Sequence, residues 1–188
     1  VRRMESEAIR DGILVASESL DPTFYGAPIP IYLTEFMQGR GKPKKSGPLN
    51  GNHRRSIYLE VRRNFLEPMM TTFDRPIPFS TVGKRDVSNV PSQSLIFMND
   101  PFIINQAEIM AKKLLNQNNL SFSQKIEWVY MHAFSRKPST AEIKNARKFI
   151  SLLKELKNTK TSDLDSSLEV WKEYCHSIFN LKEFIYLM

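Results

Sequence analysis

Cysteine is almost missing from this chain: Cys175 is its single representative. One thiol allows no internal disulfide and no multi-cysteine metal site. Cys175-His176 looks like the tail of a c-type haem attachment motif, but Lys172 stands where the first cysteine of Cys-x-x-Cys-His belongs, so no haem and no other cofactor is expected. Histidine is scarce as well. His53, His132 and His176 have no partner at metal-ligand spacing, and no metal site is read from them. No apolar run reaches the roughly 18 residues of a membrane span. A Gly-x-Ser-x-Gly elbow and a dinucleotide-binding glycine pattern are both missing. Gly39-Arg40-Gly41-Lys42 fails as a phosphate loop because Pro43 removes a backbone donor and blocks entry into the helix such a loop requires.

At 188 residues the chain is long enough to bury a real core, and its apolar and charged fractions are those of an ordinary globular protein. Its net charge is +7, much of it local. Between Gly39 and Arg63 eight basic residues face one acid, Glu60. Such a patch raises nucleic acid, anionic polymer and lipid headgroup as partners, but the first reading is a solvated loop plus structural arginines paired with acids elsewhere in the chain. The aromatics do not interleave with it as a stacking platform for nucleic acid requires, so that class ranks last. The chain opens on Val-Arg-Arg-Met-Glu, with neither an initiator Met nor a signal-peptide pattern, and is read as an N-terminally truncated piece of a larger protein.

Apolar positions Ile9, Ile13, Ala16 and Leu20 predict a helix over 2–20, ended by Asp21-Pro22. Glu7 and Asp11 lie one turn apart on it, a spacing that suits paired acid and base chemistry, with Arg3 and Arg10 placed to neutralise them. Residues 22–36 read as an extended connection. Residues 39–52, with four glycines and two prolines, read as a long mobile loop. Alternating Ile57, Leu59 and Val61 predict a strand between the pairs Arg54-Arg55 and Arg62-Arg63, with a helix from Ser56 as the rival. Those arginines suit a phosphate-binding edge, a carboxylate clamp or an internal ion-pair network, and spacing does not choose between them. Pro68 predicts the first turn of a short helix packing Phe65, Met69, Met70 and Phe73. Leu95 to Met98 are expected to be buried, with Asn89, Gln93 and Asn99 pinning loops at the core margin.

The second half is helical. Asp100-Pro101 opens one helix, Ser121 with Gln124 a second through a capping box, and Pro138-Ser139 with Glu142 a third. A polar linker is expected over Asn158 to Ser162, and a last helix from about Asp165 buries Leu168, Trp171, Cys175 and Ile178. The fold class is mainly α, five to seven helices around an irregular middle where the short strand remains one reading. Residues 1–188 are read as one domain, divisible into an irregular and helical part, 1–99, and a helical bundle, 100–188.

Several segments together resemble one known family. They are Arg3-Met4-Glu5-Ser6-Glu7-Ala8-Ile9-Arg10-Asp11, Arg54-Arg55-Ser56-Ile57-Tyr58, Phe73-Asp74-Arg75-Pro76, Asn89-Val90-Pro91-Ser92-Gln93-Ser94-Leu95, Asn99-Asp100-Pro101, and the ending from Trp171 to Tyr186. Their order and spacing are similar to domain of unknown function 1553, the C-terminal domain of large secreted proteins abundant in planctomycetes and related bacteria. Ser94 stands where that family usually has Ala, and Lys84-Arg85 where an Arg pair is usual.

The resemblance implies an extracytoplasmic home, at the periplasm or cell surface. It also implies partner domains in the same polypeptide, including a cytochrome c-like domain, and a link to polysaccharide use through neighbouring genes for sulfatase-like proteins. It assigns no activity. Carried over, its polar motif residues are Glu7, Arg10, Asp11, Arg54, Arg55, Asp74, Arg85, Gln93 and Asn99. The first expectation is a non-catalytic structural or interaction module in which these residues form an internal network. The alternative is a glycan-binding or glycan-processing cleft, with Glu7, Asp11 and Asp74 as candidate catalytic carboxylates and Arg54, Arg55, Arg85, Gln93 and Asn99 as candidate binding residues.

Overall fold

The computed structural model describes residues 1–117, 119–156 and 166–187. The polar linker at 158–162 and the start of the last predicted helix at Asp165 lie outside the described residues. The described chain is mainly α-helical, as its periodicity predicts. Its helices are α1 Ser6–Ala16, α2 Pro68–Thr72, α3 Pro91–Asn99, α4 Pro101–Leu115, α5 Phe122–Phe134, α6 Thr140–Leu156, α7 Leu168–Phe179 and α8 Lys182–Ile185. Two short strands, β1 Arg2–Arg3 and β2 Tyr186–Leu187, pair antiparallel with Arg2 opposite Leu187 and Arg3 opposite Tyr186. Single 3-10 turns stand at Gly51–His53 and Ser56–Tyr58.

The helix signals act as their chemistry dictates. Pro68, Pro91 and Pro101 each occupy the first turn of a helix, where the missing N–H costs nothing. The Asp100 side chain accepts from the Phe102 N–H, and Ser121 with Gln124 closes a reciprocal capping box. Ser139 and Glu142 do the same before α6: the Ser139 N–H donates to Glu142 Oε2 at 2.7 Å and the Glu142 N–H to Ser139 Oγ at 3.2 Å.

One buried apolar cluster draws on every α-helix: Ile9 and Ile13 of α1, Met69 of α2, Phe97 of α3, Phe102, Ile103, Met110 and Leu114 of α4, Ile126 of α5, Ile150 of α6, Trp171, Cys175 and Phe179 of α7, and Phe184 of α8. Helices α4 and α7 form its most extensive contact. Small Ala107 and Ala111 on α4 sit fully inside it, and Trp171 supplies its largest fully buried side chain.

Four local expectations are corrected. Helix α1 covers only 6–16. Residues 2–3 form a strand instead, and the helix stops five residues before Asp21 because Ser17 and Ser19 turn their hydroxyls onto Gln106 Oε1, at 2.8 and 2.7 Å, while Glu18 adopts a left-handed φ of 52°. The predicted strand at 57–61 is a 3-10 turn followed by a single parallel bridge, Ile29 to Leu59. Ile57 is 77% exposed, so its apolar alternation marks no buried face. In the third case, Leu95 to Met98 belong to α3, and helical spacing buries Phe97 alone while Leu95 and Met98 stay more than half exposed. Lastly, the 39–52 loop is fastened along its second half. The Gly47 N–H donates to Ile31 O at 2.8 Å, and a Cβ on Gly47 would fall 1.8 Å from Pro30 O, so no larger residue fits that approach.

Candidate functional site

Helix α1 is the spine of the polar cluster. Successive turns of one helix face carry Glu7, Arg10 and Asp11 toward segments that have little regular structure of their own. Arg10 and Asp11 together replace the missing ladder for the 50–56 segment, and Glu7 does so for the segment that carries Arg85.

Arg10 is 1% exposed and turns inward. Its Nη1 donates to Arg54 O at 2.9 Å and Ser56 Oγ at 3.3 Å, and its Nη2 to Asn50 O at 2.8 Å. The guanidinium also lies 5.0 Å from the centre of the Phe102 ring. Burial holds its pKa below the ordinary arginine value, against the opposing pull of Glu67 and Asp11. Gly51 makes room for it: a Cβ there would stand 2.5 Å from Arg10 Nη2, and its φ is +58°. Asp11 grips the same segment from the helix surface. Its Oδ1 accepts from the Ser56 N–H and Oγ, both at 2.7 Å, and its Oδ2 lies 3.5 Å from Arg55 Nε.

Glu7 takes a bidentate pair from Arg85, Nη1 to Oε2 at 2.7 Å and Nη2 to Oε1 at 3.1 Å, with Ser6 Oγ at 2.9 Å and Arg75 Nε at 3.8 Å. Burial alone would raise its pKa, but the Arg85 and Ser6 hydrogen bonds outweigh it and hold Glu7 below the usual carboxylate range.

Asp74 belongs to a neighbouring cluster. Its carboxylate accepts from the Ser88 N–H at 2.7 Å, from Ser88 Oγ at 2.8 Å and from Arg3 Nη2 at 2.6 Å. Against the upward push of burial these bonds likewise hold its pKa down. Arg3, expected beside Glu7 on a helix, is instead on β1 and reaches Asp74 and Ser88 O. The buried Gln93 side chain completes this second cluster, donating to Thr72 O at 3.1 Å and Ser88 O at 3.3 Å.

The candidates therefore divide. Glu7, Asp11, Arg55 and Arg85 line one open groove of about 460 Å³ with Glu5, Arg75, Ser56 and the apolar edge of Ile57, Leu59 and Val61. Asp74 and Arg85 line two adjoining hollows of about 430 and 300 Å³. Arg54 stands apart: its side chain holds Thr23 O and Tyr25 O and lies 3.9 Å from Asp21. Asn99 caps its own helix, donating to Leu95 O at 2.9 Å, and meets no other candidate.

Sequence reasoning passed over Glu67. With Arg10 and Arg75 it lines a small, partly open cavity of about 20 Å³, room for about one water. Burial drives its carboxyl pKa up, against the pull of Arg10, and among the described residues Thr71 bonds its backbone carbonyl while no hydrogen bond or ion pair reaches its side chain. No periodicity could reveal it, since its position depends on how 48–51 and 59–66 close over α1. Arg136 was also missed. It forks onto Glu183, at 2.6 and 2.7 Å, and Glu142, at 3.0 and 2.7 Å, joining the end of α5 to α6 and α8.

The histidines serve the fold. Asn50 Nδ2 donates to His53 Nε2 at 2.7 Å, and His176 Nε2 donates to Phe97 O at 2.7 Å. Among the described residues no group of three His, Cys, Asp or Glu side chains could hold a metal ion, and no helix is long and apolar enough to cross a membrane.

Fold and site together define a mainly helical protein whose irregular segments are fastened to α1 by arginine–carboxylate and arginine–carbonyl contacts. A family model described as PSD1, a protein of unknown function (DUF1553), matches residues 1–150, and the chain belongs to that family. No curated protein and no solved structure matches the chain.

Proposed function

We propose that this protein is a non-catalytic interaction module of an extracytoplasmic multidomain protein linked to polysaccharide use, docking on partner domains of the same polypeptide such as a cytochrome c-like domain. The observation that carries this reading is the state of two of the three candidate carboxylates. Glu7 and Asp74 are engaged by Arg85, Arg3, Ser6 and Ser88 and held below the usual range. A general acid at neutral pH needs the opposite shift. The groove arginines Arg55, Arg75 and Arg85 each have an acid within 4 Å, which also weighs against a polyanion such as nucleic acid.

A glycan-processing reading draws on one feature, that Glu7 and Asp11 both face the 460 Å³ groove. A screen of neutral and sulfated polysaccharides separates the two. The module reading expects no release of reducing ends from any of them. Release by the native protein that disappears in Asp11→Asn, with folding intact, would overturn it.

A further inference from the structure

Away from the groove, one turn carries two aromatic rings that the fold leaves bare. Phe24 is 69% and Tyr25 85% exposed. Their backbone is nonetheless closely held. The Tyr25 N–H donates to Tyr58 Oη at 2.9 Å, and Arg54 Nη2 donates to Thr23 O at 3.0 Å and Tyr25 O at 2.6 Å. Arg54 is itself stacked on the Tyr58 ring at 4.1 Å. Asp21 Oδ1 accepts from the Thr23 N–H at 2.9 Å and its hydroxyl at 2.5 Å. Tyr25 has a left-handed φ of 63°, followed by Gly26 at 105°. A bulky aromatic residue in that region is uncommon and persists only where its surroundings over-determine it. Here they do so in order to present rings, not to bury them.

We propose that the Phe24–Tyr25 turn is a stacking platform for the ring of an uncharged sugar in a polysaccharide, with Asp21 and Thr23 placed to bond its hydroxyls. The ligand class rests on the polysaccharide reading above, while the site is separate from the groove. Aromatic faces carry negative charge density and attract the partly positive C–H face of a pyranose. The two rings, 6.4 Å between centroids and tilted by 53°, are close enough to engage one saccharide unit together. Charge favours a neutral ligand. The Thr23 hydrogen bonds hold the Asp21 carboxyl below its usual range, and Arg54 is committed to Asp21, Tyr58 and two carbonyls. The turn therefore presents a carboxylate and no uncommitted cation of its own to a polyanion. Because the backbone is already fixed, little ordering remains to be done on binding.

Affinity electrophoresis of the whole chain tests this, in gels containing soluble β-glucan, xylan or galactomannan, with heparin and dextran sulfate gels alongside. The expected result is retardation in at least one neutral gel, unchanged on raising the salt. In Phe24→Ser/Tyr25→Asn the affinity should fall by about tenfold or more. Tyr25→Phe should keep it, and circular dichroism should be the same in all three proteins. Asn tolerates the left-handed conformation, so the double variant keeps the turn. Retardation in a neutral gel that the double variant retains overturns this site and leaves the polysaccharide reading standing. Retardation only in the sulfated gels, abolished by salt, overturns the neutral ligand and moves binding elsewhere. Retardation in no gel overturns the sugar platform and leaves the module reading, which rests on partner domains, to its own test.

Discussion

Replacing Arg10 by Met removes the contact on which the irregular half most depends. The side chain is fully buried and supplies three hydrogen bonds, to Asn50 O, Arg54 O and Ser56 Oγ. A hydrogen bond with one charged partner contributes about 1.5–3 kcal/mol, so three would total about 4.5–9 kcal/mol if they were independent. They are not independent, and the variant also escapes the cost of burying a guanidinium, the same cost that lowers the Arg10 pKa. The net loss should be about 3–5 kcal/mol, a large share of the roughly 5–15 kcal/mol by which a domain is stable. Urea unfolding measures it as a fall in midpoint at constant slope. Hydrogen exchange should locate it, through early loss of protection at the Arg54 N–H, bonded to Gly51 O, and the Asp21 N–H, bonded to His53 O. Arg10→Lys keeps the charge but lacks the planar fork, and should lose about half as much. A Met variant within about 1 kcal/mol of the native protein, with the same slope, would refute the assignment of Arg10 as the hub.

Gly51→Ala should cost about 2–3 kcal/mol, from a left-handed Ala and the displacement of the Arg10 guanidinium and the Leu59 side chain, and in the Arg10→Met background the cost should shrink to about 1–2 kcal/mol, the share of the left-handed Ala and Leu59. Equal costs in both backgrounds, measured by urea unfolding, would show that the 2.5 Å approach to Arg10 Nη2 is not what Gly51 provides. Arg136→Ala should lower stability by about 1–2 kcal/mol, discounted for solvent because its side chain is 38% exposed, and the loss should shrink at high salt. Acid titration should reveal the depressed carboxylates. Glu7, Asp74 and Glu142 have folded pKa values below their unfolded ones, so their stabilisation is complete above the unfolded values and disappears as pH falls through the folded values. For Glu142 that window runs from 4.5 down to about 2. Glu142→Gln should therefore flatten the acid limb of a stability–pH curve, and an unchanged limb would count against the Arg136 clamp. Glu67 has the opposite sign: its raised pKa means stability declines as pH rises from the unfolded to the folded value, and Glu67→Gln should remove that decline.

The helical half was legible because its instructions are local. Asp100-Pro101, Ser121 with Gln124, and Ser139 with Glu142 satisfy the exposed N–H groups of helices that begin beside them, and the apolar positions repeat at helical spacing. The polar motif residues were also visible as a set, and their order along the chain was enough to point to the family. Their partners were not visible. Asp11 with Ser56, Glu7 with Arg85 and Arg3 with Asp74 are separated by 45, 78 and 71 residues, and no periodicity carries information over such distances.

The same limit explains the errors at 57–61 and 95–98. Alternation at Ile57, Leu59 and Val61 would mark a strand if a sheet were there to pair with it, yet Asp11 holds the Ser56 N–H and turns the chain instead. Composition and local spacing thus decided the helices, the caps and that the single cysteine forms no internal disulfide, because those depend on residue identity and on neighbours in the chain. Tertiary packing decided which carboxylate each arginine meets, that Arg10 is buried while Arg55 stays in the groove, and that the Phe24 and Tyr25 rings remain exposed. Those outcomes depend on which distant segments close over α1.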